Sequence, residues 1–336
     1  MTQTVRRRAA LGSAALAGLL LSACGTGDDG SETTSITLYT SEPQEKIDEL
    51  LADFAEVEPE IEVEVFRAGT GDLTARLETD LNAGEPGADV FLAADAPTFE
   101  GFKEDDLLME LDSEELDAVS PEWQDPEGHY VGTRIIPTVI AHNTADDETA
   151  PASWQELTAA DYEGEITLPD PAVSGAAAFN AAVWYLQDDL GEQWYEDLGA
   201  NAPVIAESNG PVGQAVAERS QPVGIVVDFM MRDLRDAGSP VDVTYPEEGV
   251  PYIYQPIGIF DATDELEAAQ AFVDYVISQR GQEYAVEQNY LPVREDAGSP
   301  DGTPALEDIT FMEEDLSEIT EVQGEALDAF DSTIGG

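Results

Sequence analysis

The chain has 336 residues, of which 72 are Asp or Glu and 13 are Lys or Arg, so its formal net charge at pH 7 is -59. A surface of this kind repels nucleic acid, because binding to phosphate backbones needs clustered Lys and Arg. The acidic residues are spread along the whole chain, which is typical of a solvated surface, salt-adapted or not, rather than of a disordered tail. The 42% hydrophobic content predicts a folded body, and the length favours about two domains.

The first 23 residues have the pattern of an export signal. Three arginines at 6–8 precede a short apolar run of small residues that ends at Cys24, the only cysteine. This pattern is typical of secretory signals, and a cysteine directly after the cut can carry a lipid. We therefore expect a signal peptide at 1–23, lipidation at Cys24 and a flexible tether over 24–35. An ordinary signal peptide, a short membrane anchor and twin-arginine export stay open as alternatives.

Apolar periodicity predicts alternating strands and helices along the body. The first predicted elements are a strand at 36–39, a helix at 44–57, a strand at 61–65, a helix at 71–83 and a strand at 89–92. The later ones are a strand near 134–143, a helix opening at Ser174, a helix at 212–219, strands at 223–227 and 252–260, a helix at 265–279 and helical structure within 313–330. Such an alternation predicts parallel sheets flanked by helices, and the economical arrangement is two α/β lobes.

The sequence contains none of the enzyme signatures that we sought. There is no Walker loop, no His-Glu-x-x-His, no Cys-x-x-Cys and no Gly-x-Ser-x-Gly. The two histidines, His129 and His142, lie in unrelated contexts. We therefore predict no catalytic residue, no metal site and no cofactor. A secreted hydrolase is the alternative from a different class, and it lacks a nucleophile-base pair.

Two turns from a loop or strand into a helix are candidates for anion binding. Ser174, Gly175 and Ala176 open an Ala-rich helix, and Ser174 is a natural N-cap beside unpaired backbone N–H groups. Such donors and the helix dipole can hold a phosphate, although most N-caps hold no ligand. A second turn contains the hydroxyl residues Thr40 and Ser41. We expect both turns to face one cleft.

Seven short motifs together carry a family resemblance. They are Leu38-Tyr39-Thr40-Ser41, Pro86-Gly87-Ala88-Asp89-Val90, Asp125-Pro126-Glu127-Gly128-His129-Tyr130, Ser174-Gly175-Ala176, Gln214-Ala215-Val216-Ala217, the run 223–230 and Asn289-Tyr290-Leu291-Pro292-Val293-Arg294. With them the chain resembles the substrate-binding lipoproteins of ABC importers, of the ferric-iron type with its phosphonate, sugar-phosphate and thiamine relatives.

The resemblance implies an α/β, two-lobed periplasmic-binding-protein fold of class II. Two crossover hinge strands, near 136–142 and 253–259, would let the lobes close on a ligand. Lobe 1 would comprise 36–137 plus 258–336, and lobe 2 would comprise 138–257.

The resemblance also ranks the ligands. Iron-binding members hold a phosphate at the segment that matches 174–176, and Asn209 matches that group as well. Their tyrosine pair would fall near 228–229 and is absent here, as are the glutamate near Ala94 and the early histidine around 40–41. Because ferric iron needs hard anionic oxygen ligands, iron ranks below a phosphorylated or phosphonate solute.

Three carboxylates are candidates for the other end of such a solute. Asp228 ends a very apolar strand and either caps the next helix or points into the cleft, whereas Glu247 and Glu248 fit a solvated turn equally well. Carboxylates accept hydrogen bonds from sugar hydroxyls or pair with an ammonium group. The predicted ligand-binding residues are therefore Thr40, Ser41, Ser174, Gly175, Ala176, Asn209, Asp228, Glu247 and Glu248.

Taken together, the sequence predicts a monomeric receptor without enzymatic activity. It would be anchored through Cys24 on the outer face of the cytoplasmic membrane and would deliver a small anionic solute to an ABC permease. Sugar phosphates and 2-aminoethylphosphonate are the first expectation, ferric iron is the second, and thiamine or thiamine phosphate is the third.

Overall fold

The computed structural model describes residues 33–94, 96–145, 150–304, 306–312 and 315–335. The predicted signal peptide, the predicted lipidation at Cys24 and most of the predicted tether lie outside these residues. Within the described ranges, no helix is both long enough and apolar enough to span a bilayer.

The described residues form eleven strands and ten α-helices. The strands are β1 (Thr34–Thr40), β2 (Ile61–Arg67), β3 (Val90–Leu92), β4 (Tyr130–Gly132), β5 (Ile136–Asn143), β6 (Ile166–Pro169), β7 (Val204–Ala206), β8 (Val223–Val227), β9 (Val241–Thr244), β10 (Tyr252–Ile253) and β11 (Pro256–Ile259). The helices are α1 (Gln44–Val57), α2 (Thr70–Ala83), α3 (Ala96–Glu104), α4 (Gly175–Leu186), α5 (Gly191–Ala200), α6 (Asn209–Ala217), α7 (Asp228–Asp236), α8 (Leu266–Ile277), α9 (Gln279–Glu287) and α10 (Leu316–Thr333).

The strands form two sheets. The first sheet has the order β2-β1-β3-β11-β4, and the second has the order β10-β5-β8-β6-β7 with β9 paired to β5. In the first sheet β1 runs parallel to β2 and β3, whereas β11 is antiparallel to both of its neighbours. In the second sheet β6 runs parallel to β7 and β8, and β5 is antiparallel to β8. The predicted parallel core is therefore present in each sheet.

Each sheet has its own apolar core. Helix α1 buries Ile47, Leu50 and Phe54 in the core of the first sheet, as its 3.6-residue period predicts. All five residues of β8 are buried, which explains why this strand is a continuous apolar run rather than an alternating one. Burial of such side chains contributes about 1.5–3 kcal/mol each.

The chain crosses between the sheets at two described segments, 133–135 and 254–255, which we call the crossing segments. The predicted long strand at 252–260 is in fact two short strands in different sheets. Gln255 breaks it, because its φ of 33° lies in the left-handed region and ends the extended conformation. Similarly, the predicted helix at 265–279 ends before Ser278, whose hydroxyl accepts a hydrogen bond from Gly281 N and caps α9.

The C-terminal helix packs against α4 and α5, and it buries Ala326 and Phe330 in the core of the second sheet. The preceding chain pairs with Val250, whose N–H donates to Thr310 O at 2.9 Å and whose carbonyl accepts from Met312 N at 2.9 Å. This pairing brings α10 to the second sheet, whereas the predicted lobe 1 included residues 258–336. The division into lobes otherwise stays a prediction.

Candidate ligand-binding cleft

A cavity of about 610 Å³ is lined by residues from both sheets, and we call it the cleft. It lies where β1, β2, β6, β7 and β8 end, which is the usual ligand position in open α/β sheets. The described lining residues are Ser41, Glu42, Pro43, Gln44, Arg67, Ala68, Gly69, Thr70, Asp72, Ala94, Ile136, Val173, Ser174, Gly175, Ala176, Glu207, Ser208, Asn209, Gly210, Val227, Phe229, Met230, Ile253 and Gln255.

Five helices begin at the cleft: α1, α2, α4, α6 and α7. The first N–H groups of a helix have no intrahelical partner, and each N-terminus carries about half a positive charge. In α1, α2, α6 and α7 no side chain caps these donors. The cleft therefore concentrates backbone donors and positive potential in an otherwise acidic protein.

Ser174 is the N-cap of α4, as predicted. Its Oγ accepts hydrogen bonds from Ala177 N at 3.3 Å and from Asn209 Nδ2 at 3.0 Å. Because both acceptor positions of this hydroxyl are occupied, its proton is available to donate a hydrogen bond. A donor of this kind suits an anion.

Asn209 holds the neighbouring elements together. Its Nδ2 donates to Ser174, and its Oδ1 accepts from Val227 N at 3.3 Å, so one side chain links the starts of α4, α6 and α7. Because both the nitrogen and the oxygen of this amide form hydrogen bonds within the protein, the side chain of Asn209 fixes the positions of these helix starts in the cleft wall. Ser41 and Ser208 also line the cleft, and their hydroxyls have no hydrogen-bond partner among the described residues.

The sequence reasoning missed Arg67, the only basic residue among the described residues that line the cleft. It ends β2 directly before the turn into α2, and its Nε donates to the carbonyl of Glu42 at 2.9 Å. Its side chain makes no ion pair with a described carboxylate. Its position was the available signal, because arginine is rare in this chain and Arg67 lies at the carboxyl end of a parallel strand.

Four predicted site residues lie outside the lining of the cleft. Thr40 is fully buried, and its Oγ1 accepts from Glu42 N at 3.1 Å, so it shapes the turn after β1. Glu248 Oε1 accepts from Gln155 N at 3.1 Å, and Glu247 N donates to Ala152 O. The turn of Glu247 and Glu248 therefore packs on the segment around 152–155 and does not reach the cleft.

Asp228 also lies outside the lining of the cleft, although it is the first residue of α7. Its carboxylate is buried, with Oδ2 at 2.6 Å from Arg232 Nη1 and at 3.0 Å from Tyr245 Oη. Burial is the largest influence on the pKa of Asp228 and raises it, while Arg232 and Tyr245 act in the opposite direction. The side chain therefore belongs to a buried ion pair within the second sheet's helices rather than to the ligand site.

Glu42 forms the base of the cleft. Its carboxylate accepts hydrogen bonds from Arg134 Nη1 at 2.8 Å, from Tyr290 Oη at 3.0 Å and from Gln255 Nε2. Arg134 and Gln255 lie on the two crossing segments, and Tyr290 lies beside them, since Leu291 bridges to Ile135. One buried carboxylate therefore connects the loop after β1 to both crossings.

Helices and loops that follow strands of the two sheets lie close together at glycines beside the cleft. A Cβ on Gly71 would lie 2.2 Å from Ala172 O, and one on Gly69 would lie 2.7 Å from Val173 O. A Cβ on Gly175 would lie 2.8 Å from Ala94 O. These distances are far inside van der Waals contact, so only glycine permits this approach.

A second cavity, of about 570 Å³, is lined by Trp123, Tyr252 and Arg294 among others. Arg294 is already paired with Glu115 and Asp296, so this cavity offers an anion less than the cleft does. Within the described residues, no three His, Cys, Asp or Glu side chains are placed to hold a metal ion.

Comparisons with known proteins bear on the family and on the fold. A family model of bacterial extracellular solute-binding proteins matches residues 85–316, more than half of the chain. A probable ABC transporter periplasmic-binding protein of Sinorhizobium fredii is 26% identical over 223 residues, which span 64% of this chain and 62% of that protein.

Two solved structures show the fold. The periplasmic binding protein AfuA from Actinobacillus pleuropneumoniae, with exogenous fructose 6-phosphate bound, has a TM-score of 0.82 at 22% identity and covers 90% of this chain and 99% of its own. Iron-bound HitA from Pseudomonas aeruginosa has a TM-score of 0.79 at 20% identity, covering 89% and 99%. At these identities the likeness concerns the fold, and it confirms the predicted two-lobed α/β class.

Replacing Gly71 with Ala should hold the sheets apart. Ala is a better helix former than Gly, so the change does not weaken α2 itself. The new Cβ would overlap with Ala172 O, and this overlap costs about 1–3 kcal/mol unless the two segments move apart. We expect a larger radius of gyration by small-angle X-ray scattering. Gly210→Ala, whose Cβ meets nothing within 4 Å, is the matched control. Identical scattering from both variants would contradict this expectation and would show that the 170–173 loop moves to make room for the new Cβ while the sheets keep their positions.

Replacing Asp228 with Asn should reduce stability. It removes the charge opposite a buried Arg232, and breaking a buried pair costs about 3–5 kcal/mol. Urea unfolding should show this loss, whereas Asp242→Asn at the exposed pair with Arg235 should change stability by less than about 1 kcal/mol. If Asp228→Asn leaves stability unchanged and alters ligand selectivity, this prediction is wrong and Asp228 belongs to the ligand site.

Proposed function

The chain belongs to the bacterial extracellular solute-binding proteins, and we propose that its cleft captures a small phosphorylated or phosphonate solute for an ABC importer. Members of this family are receptors rather than enzymes. One observation carries the choice of solute class: five helix N-termini and Arg67 share one cleft. Backbone donors at helix starts are a common site for phosphate groups.

The strongest donors for the anionic group lie at the start of α4. Gly175 and Ala176 have backbone N–H groups in its first turn, Ser174 keeps a hydroxyl proton to donate, and Arg67 adds a full positive charge. Arginine forms charge-assisted hydrogen bonds with phosphate oxygens. The AfuA structure, which carries a sugar phosphate, supports this assignment through its shared fold.

Exposed carboxylates at the cleft can contact the rest of the solute. Asp72 and Glu207 line the cleft, and they take the place of Asp228, Glu247 and Glu248 in the sequence-based expectation. Carboxylates accept hydrogen bonds from hydroxyl groups and pair with ammonium groups. Both sugar phosphates and aminoalkylphosphonates therefore fit this set of groups.

Ferric iron is the second candidate, because the iron-bound HitA has the same fold. The described lining residues include no tyrosine and no histidine, and Glu42 is already bound by Arg134, Gln255 and Tyr290. Iron needs several anionic oxygen ligands. The cleft chemistry therefore favours the phosphate class.

The receptor is also proposed to be a monomer held at the membrane through a lipid on Cys24. The basic residues at 6–8 and the small residues before Cys24 support this part of the proposal. The first described strand, β1, begins at Thr34, so the last two residues of the predicted tether belong to this strand and the anchor would join the first sheet.

Ser174→Asp tests the anion site. The variant keeps a good N-cap, yet it places a carboxylate where the phosphate should lie. Two like charges about 4 Å apart repel by about 4 kcal/mol at an effective dielectric constant near 20. Calorimetry with fructose 6-phosphate and 2-aminoethylphosphonate should therefore show binding weakened by about a hundredfold or more.

The matched control is Ser278→Asp, the same change at the N-cap of α9, outside the cleft lining. It should leave affinity unchanged. Wild-type affinity in Ser174→Asp would mean that the anionic group does not sit at α4, and the proposed solute class would fail with it.

Arg67→Gln tests the cleft cation. Loss of a charge-assisted contact at an exposed residue should weaken binding of the same solutes by about 1–2 kcal/mol, and the difference from wild type should shrink at high salt. Arg76→Gln removes the same charge from the exposed face of α2, where Arg76 pairs with Asp80. Equal losses in both variants would indicate a long-range charge effect rather than contact with the solute.

A further inference from the structure

Gln255 has an unusual position at the base of the cleft. It is 1% exposed, it lines the cleft, and its Nε2 donates to the carboxylate of Glu42. A carboxylate only accepts hydrogen bonds, so this contact fixes which end of the amide is nitrogen. The oxygen Oε1 then has no hydrogen-bond partner among the described residues.

An unpaired buried acceptor is uncommon, because its desolvation is not compensated. Several buried side-chain atoms of the described residues lack a partner, but only Gln255 Oε1 belongs to a residue that lines the cleft. The orphaned acceptor therefore belongs to a buried residue of the cleft wall, where a solute is the candidate to supply the donor that the protein lacks.

The backbone gives a second, independent observation. Gln255 has a φ of 33°, which is sparsely populated for a residue with a side chain. Its carbonyl is held in place by Thr133, whose N–H donates at 3.1 Å and whose Oγ1 donates at 2.8 Å. Strained backbone persists where the surroundings enforce it, and it often accompanies a ligand site.

We propose that Gln255 Oε1 accepts a hydrogen bond from the solute. This inference rests on the proposed function and narrows it: the solute carries a hydroxyl or ammonium donor in addition to its phosphate or phosphonate group. Phosphonates whose remaining part is purely apolar are poor ligands. Because Gln255 lies on a crossing segment between β10 and β11, the same hydrogen bond connects the solute to the segment that joins the sheets.

The first test compares solutes of equal size on the wild-type protein. 2-Aminoethylphosphonate and 2-hydroxyethylphosphonate carry a donor, and propylphosphonate has a methyl group in the same place. Calorimetry should show propylphosphonate binding about tenfold more weakly, or worse, as expected for one lost hydrogen bond. Equal affinities would overturn the inference. Absence of binding by all three and by fructose 6-phosphate would overturn the proposed function itself.

The second test uses Gln255→Met, which keeps the side-chain length and removes both the acceptor Oε1 and the Nε2 donor to Glu42. Donor-bearing solutes, including fructose 6-phosphate, should bind about tenfold more weakly, and propylphosphonate should bind as it does to the wild type. Gln288→Met is the matched control. Gln288 is 5% exposed, its Nε2 donates to Lys46 O, its Oε1 is also unpaired, and it lies outside the cleft lining.

The two variants separate a ligand contact from a structural role. Equal loss for donor-bearing and apolar solutes in Gln255→Met would assign Gln255 to the fold alone and overturn the inference, as would unchanged affinity for every solute. If Gln255→Met does not fold, as thermal melting would show, equal affinities of the three phosphonates for the wild type would still overturn the inference, because the solute would then supply no donor to Oε1.

Discussion

The buried carboxylate of Glu42 is the interaction on which the arrangement of the molecule depends. Its hydrogen bonds reach Arg134 and Gln255, one on each crossing segment, and Tyr290 beside them. Arg134 is itself 2% exposed and lies 4.5 Å from the ring of Tyr290, so neither charge is solvated. A pair of this kind is costly to break, because the remaining charge would stay buried. By fixing the crossings, Glu42 also determines how helix starts from the two sheets come to share one cleft.

Local patterns in the sequence predicted the elements well and the site only in part. The period of α1 defines residues 44–57, because its apolar face follows directly from side-chain spacing. The convergence of five helix starts depends on tertiary packing, which no local pattern contains. Asp228 shows a signal that was present but not used: Arg232 follows four residues later, on the same helix face. The break at Gln255 could not be predicted, since its left-handed backbone is enforced by Thr133 and Glu42, which are distant in sequence.

The cleft and the surface have opposite electrostatic characters. The chain carries a net charge of -59, yet the cleft combines uncapped helix starts with Arg67, whose side chain forms no ion pair with a described carboxylate. Exposed charges are screened over about 8–10 Å at physiological salt, whereas groups in a partly buried cleft are screened much less. For the proposed anionic solute, repulsion would act mainly at a distance and attraction mainly at contact. In concentrated salt the distant repulsion weakens first, because salt screens exposed charges more than buried ones.

The placement of α10 has a geometric consequence for the two ends of the described region. Strand β1, the first described element, belongs to the first sheet, whereas α10, the last described element, packs on helices of the second sheet. These two elements therefore belong to different halves of the molecule. A change in the angle between the sheets alters the distance between them, so that a pair of labels on β1 and α10 reports the opening of the cleft directly.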